Sequence, residues 1–143
     1  MIPPPSRLVL ASGCFDVLHV GHVAFLEAAK ACGSHLVVSV TSDEYVRRAK
    51  GAGHPFFPVA ERYRMLYALR CVDRVVISQA EDAMSWIKIL KPVIYAKGED
   101  YVGGDPTGRL DREREAVEAL GGELVILDAW PKYSSTAIMK ALA

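Results

Sequence analysis

Leu8-Val9-Leu10-Ala11-Ser12-Gly13-Cys14-Phe15-Asp16-Val17-Leu18-His19-Val20-Gly21-His22 is the stretch on which the reading of this chain turns. Leu8 to Ala11 is a short apolar run, the signature of a buried parallel strand. Ser12 and Gly13 break it. Val23 to Lys30 follows as a second periodic segment, rich in good helix formers. His19 and His22 therefore stand where a strand hands over to a helix. A helix N-terminus exposes unpaired N–H groups and a partial positive charge, which together hold phosphate. The two histidines add side-chain donors there, and Gly21 lets a phosphate approach the backbone closely.

Outward from this stretch the pattern alternates. Gly33 is expected to cap the first helix. His35 to Val40 reads as a second strand, and Thr41-Ser42-Asp43 supplies capping residues for a short helix through Arg48. Ala49 to Pro58 reads as a loop, and about Ala60 to Leu69 as a helix. Val72 to Ile77 contains a third strand. Glu81 to Leu90 is a helix stopped before Pro92, and Val93 to Ala96 a fourth strand. Lys97 to Arg109 is a long glycine-rich loop whose length marks it as functional or mobile. Leu110 to Leu120 is a charged amphipathic helix closed by Gly121-Gly122. Leu124 to Leu127 is a fifth strand, and a last helix starts near Ser134. Strands alternating with helices predict an α/β fold: a doubly wound, five-stranded parallel sheet with helices on both faces. With no internal repeat or linker, residues 1–143 are expected to form a single domain.

Composition narrows the function. At 143 residues and 51% hydrophobic content, the chain can bury a proper core. Its 17 basic and 17 acidic residues balance. That argues against a general nucleic-acid binder, so any anion site is local. Cys14, Cys32 and Cys71 are widely spaced and predict neither a zinc site nor a disulfide framework. The first residues do not read as a signal peptide, and no apolar run reaches bilayer length, so a cytoplasmic protein without membrane partners is expected. Neither Gly-x-Gly-x-x-Gly nor a Walker A sequence is present.

His19-Val20-Gly21-His22 resembles the His-x-Gly-His signature of the nucleotidyltransferase superfamily. Gly13-Cys14-Phe15-Asp16 resembles the Gly-x-Phe-Asp that precedes it in the cytidylyltransferase-like branch. The resemblance implies strand order 3-2-1-4-5, with ligands at the switch point between strands one and four. It makes His19 and His22 catalytic and Gly13, Cys14, Phe15, Asp16 and Gly21 nucleotide-binding. Asp16 would orient a histidine, approach a metal, or merely cap. Cys14 reads as a packed thiol rather than a nucleophile.

Further elements extend the resemblance over almost the whole chain. Tyr133-Ser134-Ser135-Thr136 resembles the family's Ser-Thr/Ser-Thr-x-Ile element, which holds the nucleotide's phosphates; as local structure alone it is an N-cap. Ala137 stands where the family usually has Lys or Arg. Lys50, in Arg47-Arg48-Ala49-Lys50-Gly51, matches a Lys that leans over the phosphates. Arg62 and Arg70, read as sharing one helix face, match substrate-binding arginines, with surface ion pairs to Glu61 or Asp73 as the alternative. Lys97-Gly98-Glu99-Asp100-Tyr101 is similar to the Lys-Gly-Gly-Asp-Tyr of heptose 1-phosphate adenylyltransferases, which places Lys97, Gly98, Glu99 and Asp100 at the nucleotide. The arginine that glycerol 3-phosphate cytidylyltransferases carry before the last motif is replaced by Trp130-Pro131-Lys132, which favours ATP over CTP. The nearest overall pattern is the adenylyltransferase half of bifunctional heptose enzymes. With no kinase half read in this chain, the expected substrate arrives already phosphorylated.

The reaction so implied is attack of a substrate phosphate oxygen on the α-phosphorus of ATP, with pyrophosphate leaving. The nucleophile is already an anion, so catalysis is positioning plus charge neutralisation. Bound phosphate should raise the histidine pKa values while the helix N-terminus opposes this. Mg²⁺ is expected to bind mainly through the triphosphate, with no dedicated protein metal site. The expected partners are ATP, a small phosphorylated acceptor and a second copy of the chain in a homodimer. A cytidylyltransferase for a polyol phosphate, a flavin mononucleotide adenylyltransferase and a non-catalytic nucleotide-binding module are the competing readings. Replacing either histidine by Ala is expected to slow turnover strongly and to change stability little, because both sit on a loop.

Overall fold

The computed structural model describes residues 7–98, 107–127 and 140–142. Among these residues ten elements follow in order: β1 (Leu8–Gly13), α1 (Val20–Ala31), β2 (His35–Thr41), α2 (Asp43–Lys50), α3 (Val59–Tyr67), β3 (Arg74–Ser78), α4 (Met84–Leu90), β4 (Ile94–Gly98), α5 (Arg109–Ala119) and β5 (Glu123–Leu127). The five strands form one parallel sheet in the order β3-β2-β1-β4-β5. The chain order reverses between β1 and β4, so the expected doubly wound topology and its switch point are both present.

Side chains alternate across the sheet with period two. Val9 and Ala11 of β1 face α1 and α3, in a core with Leu26, Leu36, Val38, Val40 and Leu66. Leu8 and Leu10 face the other way, with Val37, Tyr95, Ile87 and Val117, under α4 and α5. Both faces of the central strands are buried, which is why they read as unbroken apolar runs.

Element ends differ from the sequence reading at places that matter. β1 continues to Gly13 and α1 begins at Val20, so His19 is the N-cap of α1 and His22 lies in its first turn. α2 continues to Lys50, and β4 carries Lys97 and Gly98 as strand residues. α3 stops at Tyr67, so Arg70 is not on that helix. Gly33 follows the C-cap Cys32; a Cβ there would run into the carbonyl oxygen of Arg7, and this close approach is its reason to be glycine.

Candidate active site

The turn after β1 is built by a buried charged cluster. Arg62 of α3 is fully buried. Its Nε donates to the Phe57 carbonyl at 2.9 Å, and its Nη1 to the carbonyls of Cys14 and Thr41, both at 2.8 Å. Nη2 pairs with Asp43 Oδ1 at 2.7 Å. One planar guanidinium thus joins the ends of β1 and β2, the start of α2 and the segment before α3. Asp16, also buried, accepts from Phe56 N at 2.6 Å and Phe57 N at 3.0 Å, one bond on each oxygen. Phe15 turns the chain with φ of 51°, an uncommon value for a non-glycine residue, and packs its ring edge-on to His22 with centroids 5.5 Å apart.

On this base the two histidines cap their own helix. His19 is the N-cap of α1, and its Nδ1 accepts from Gly21 N at 3.0 Å. His22 stands three positions on, and its Nδ1 accepts from His19 N at 3.1 Å. This is a capping box made from two imidazoles. The rings stack with centroids 3.9 Å apart. A nitrogen that accepts from a backbone N–H carries no proton, so each neutral ring holds its proton on Nε2. Burial, then the neighbouring His19 and Lys50 charges, push the His22 pKa down to about 4, with Asp16 acting in the opposite direction. Burial lowers His19 as well. Near pH 7 both rings are therefore neutral, with their Nε2–H groups at the positive end of α1.

A cavity of about 180 Å³ opens beside the carboxyl ends of β1, β2, β3 and β4. Ser12, Gly13 and Cys14 line it from β1 and the turn after it, and Lys50 from the end of α2. Lys97 enters from β4, and Arg109 and Glu113 from α5. Lys50 is exposed, whereas Lys97 is 7% and Glu113 1% exposed, so Lys50 lies toward solvent and the other two lie deep. Lys97 Nζ donates to Ser12 Oγ at 3.2 Å and stands 3.9 Å from Glu113 Oε1. Ser12 Oγ and Tyr95 OH share a 2.6 Å hydrogen bond, and Tyr95 OH bonds Glu113 Oε2 at 2.8 Å.

Several sequence expectations meet here and several do not. His19, His22 and Gly21 occupy one turn, with Lys50 close enough for its charge to act on His22. Gly13, Cys14, Lys50 and Lys97 share the cavity. Arg62 is corrected: every nitrogen of its guanidinium is committed to the protein's own oxygens, so it builds the site and binds no substrate. Arg70 is corrected too. It is exposed in the turn leading into β3, at the amino end of the sheet, opposite the cavity. Asp73, offered as an arginine partner, pairs instead with Lys30 at 2.5 Å. Asp16 and Phe15 are buried in the turn, and both Asp16 oxygens accept from backbone N–H groups. Because the histidines cap α1, their removal also takes away cap hydrogen bonds, so a loss of stability is expected beside the loss of turnover. Glu99, Asp100, Trp130, Lys132, Tyr133, Ser134, Ser135, Thr136 and Ala137 lie outside the described residues.

Sequence reasoning missed Ser12, Ser39, Tyr95 and Glu113. A signal was available. Ser12 pairs in register with Ser39 on β2, and Ala11 with Ala96 on β4, so Ser39, Ser12 and Lys97 form one row across three strands. Along that face β1 reads Leu8, Leu10, Ser12; β2 reads Val37, Ser39; β4 reads Tyr95, Lys97. The last position of each series turns polar, as expected where a buried sheet face meets a polar site.

Comparison with known proteins agrees with this architecture. The chain is similar to the bifunctional protein HldE of Streptomyces coelicolor, 43% identical over 138 residues, which is 96% of this chain and 29% of that protein. It is similar to the same-named protein of Geotalea uraniireducens, 41% identical over 137 residues, covering 96% of this chain and 27% of that one. The chain spans less than a third of the length of these curated relatives. The crystal structure of the lipopolysaccharide core biosynthesis protein from Thermoplasma volcanium superposes with a TM-score of 0.70 at 29% identity, covering 90% of this chain and 99% of that one. The cytidylyltransferase-like family model matches residues 10–141, and the chain belongs to the cytidylyltransferase-like family.

Proposed function

We propose that this chain transfers AMP from ATP to a heptose 1-phosphate, giving an ADP-sugar and pyrophosphate. The observation that carries the reading is the stacked pair His19 and His22 at the N-terminus of α1, each with Nδ1 used by the backbone, which puts the neutral ring's proton on Nε2. Two fixed donors at a helix N-terminus suit the triphosphate of a nucleotide. Lys50 and Lys97 supply positive charge in the adjoining cavity. The acceptor phosphate attacks the α-phosphorus, and the histidine donors meet the charge that builds on the leaving pyrophosphate. The acceptor is already ionised, so no general base is required, and the lowered histidine pKa values fit donors rather than proton shuttles.

The choice of heptose 1-phosphate rests on the resemblance of Lys97-Gly98-x-Asp100-Tyr101 and Tyr133-Ser134-Ser135-Thr136 to heptose adenylyltransferases. Mg²⁺, which would neutralise and bridge the phosphates, is proposed to ride on the triphosphate, since both oxygens of Asp16 are committed to backbone N–H groups. Balanced charge supports work without nucleic acid. Among the described residues no helix is long and apolar enough to cross a membrane.

The test is a pyrophosphate-release screen of ATP and CTP against heptose 1-phosphate, glycerol 3-phosphate and flavin mononucleotide. The highest kcat/KM is expected for ATP with heptose 1-phosphate. CTP equal to or better than ATP would overturn the choice of base, and a faster polyol phosphate or flavin the choice of acceptor.

A further inference from the structure

Two polar atoms in the deep wall of the cavity have no hydrogen-bond partner among the described residues: Ser39 Oγ and Glu113 Oε1. Ser39 is fully buried and Glu113 is 1% exposed. Their neighbours are satisfied. Glu113 Oε2 accepts from Ala83 N at 2.9 Å and from Tyr95 OH at 2.8 Å. Lys97 Nζ is already on Ser12 Oγ, and its 3.9 Å to Glu113 Oε1 is too long for a hydrogen bond. Ser39 stands in the same row as Ser12 and Lys97, and α5 brings Glu113 over that row. A buried polar atom without a partner is costly, above all on a charged group. Two of them on one cavity wall describe a ligand-shaped demand.

The chemistry of the demand is specific. A carboxylate oxygen only accepts, so Glu113 Oε1 calls for a donor from the ligand. A serine hydroxyl takes one donor and gives one. Hydroxyl groups on a sugar meet both conditions. A flavin ring does not, because it needs an apolar slot, whereas this wall is serine, lysine and carboxylate. We propose that Glu113 and Ser39 are specificity-determining residues that read hydroxyl groups of the acceptor's sugar, whose phosphate lies toward Lys50 and the histidines. The assignment rests on the sugar-phosphate reading of the site given above.

Titration calorimetry with two probes tests it: heptose 1-phosphate, which has the hydroxyls, and inorganic phosphate, which lacks them. The unaltered protein binds heptose 1-phosphate more tightly than inorganic phosphate. Ser39→Ala weakens heptose 1-phosphate by roughly 5-fold and Glu113→Gln by roughly 10–100-fold, the usual range for neutral and charged hydrogen bonds. Neither changes the affinity for inorganic phosphate. If Glu113→Gln does not fold, Ser39→Ala decides alone, since it removes one oxygen without a hydrogen-bond partner among the described residues. Unchanged heptose 1-phosphate affinity in the folded variants overturns the proposal. So does unaltered protein that binds heptose 1-phosphate no better than phosphate. Binding that depends on these residues, without pyrophosphate release from ATP, overturns the reaction and leaves the sugar subsite standing.

Discussion

The turn after β1 and the deep wall of the cavity start from the same strand and end in opposite states. In the turn nearly every strong polar group has a partner inside the protein: Arg62 and Asp16 spend themselves on backbone groups, and each histidine spends one nitrogen on the helix cap. In the wall, Ser39 and Glu113 keep oxygens that have no hydrogen-bond partner among the described residues. The first region is rigid before substrate arrives, which suits groups that stabilise developing charge. The second leaves hydrogen-bonding capacity for a ligand, which suits recognition.

The most severe way to break this contrast is to remove the base of the turn. Arg62→Ala leaves Asp43 without its cation and three carbonyls without donors. A loss of about 3–5 kcal/mol is expected, the range for breaking a buried pair. Urea unfolding measures it. A variant of normal stability with a raised acceptor KM would restore the substrate-binding reading of Arg62.

Acid is the next probe. The unfolded chain protonates His22 near its ordinary value of 6.5, and the folded chain only near 4. Between these values the unfolded state holds more protons, so stability falls as pH falls. The contribution is intact above pH 6.5, and about 3 kcal/mol of it is gone by pH 4, at about 1.4 kcal/mol per unit. His22→Asn keeps an acceptor for the cap and does not titrate. The difference in urea midpoint between the two proteins should shrink or reverse across this window in favour of the variant. A constant difference from pH 7 to pH 4 would contradict the depressed pKa.

Capping is a smaller term. His19→Ala and His22→Ala each lose a side-chain acceptor of the α1 cap and should cost about 1 kcal/mol in thermal or urea unfolding. The Asn variants should recover most of it. Equal stability of Ala and Asn variants would mean that the cap bonds contribute nothing.

The fold was legible because its signals are local and redundant. Apolar runs at Leu8–Ala11, Leu36–Val40 and Val93–Ala96 each announce a strand buried on both faces, and alternation with helical periods leaves few topologies. The His-x-Gly-His turn was legible for the same reason: its donors come from four consecutive residues. What stayed hidden was long-range. Arg62 looks in sequence like any helix-start arginine. Only the meeting of Cys14, Thr41, Asp43 and Phe57 around it makes it scaffold. Glu113 lies among alternating charges on α5, and only its spacing with Leu110 and Val117 hints that it, unlike Arg112 or Glu115, faces inward. Helix ends were misjudged by two or three residues, enough to move the histidines from loop to cap and Arg70 off α3.

The smallest expected effect lies at the far end of the sheet. Lys30 and Asp73 pair at 2.5 Å while remaining partly exposed; burial pushes the Asp73 carboxyl up, but Lys30 and the Leu36 N–H bond together outweigh it and hold it below its ordinary range. Lys30→Met should cost less than about 1 kcal/mol, and less still in high salt. Catalytic rates should not change, since this end carries no part of the site.

The central claim is that His19 and His22 act through Nε2–H donors in adenylyl transfer, separately from their capping role. Steady-state pyrophosphate release from ATP and heptose 1-phosphate tests it most directly, comparing the unaltered protein with His19→Asn and His22→Asn. The unaltered protein should release pyrophosphate only with both substrates present. Each folded Asn variant should be slower by about 10²–10³, the usual loss of one transition-state donor. Asn variants that turn over at the unaltered rate would contradict the account.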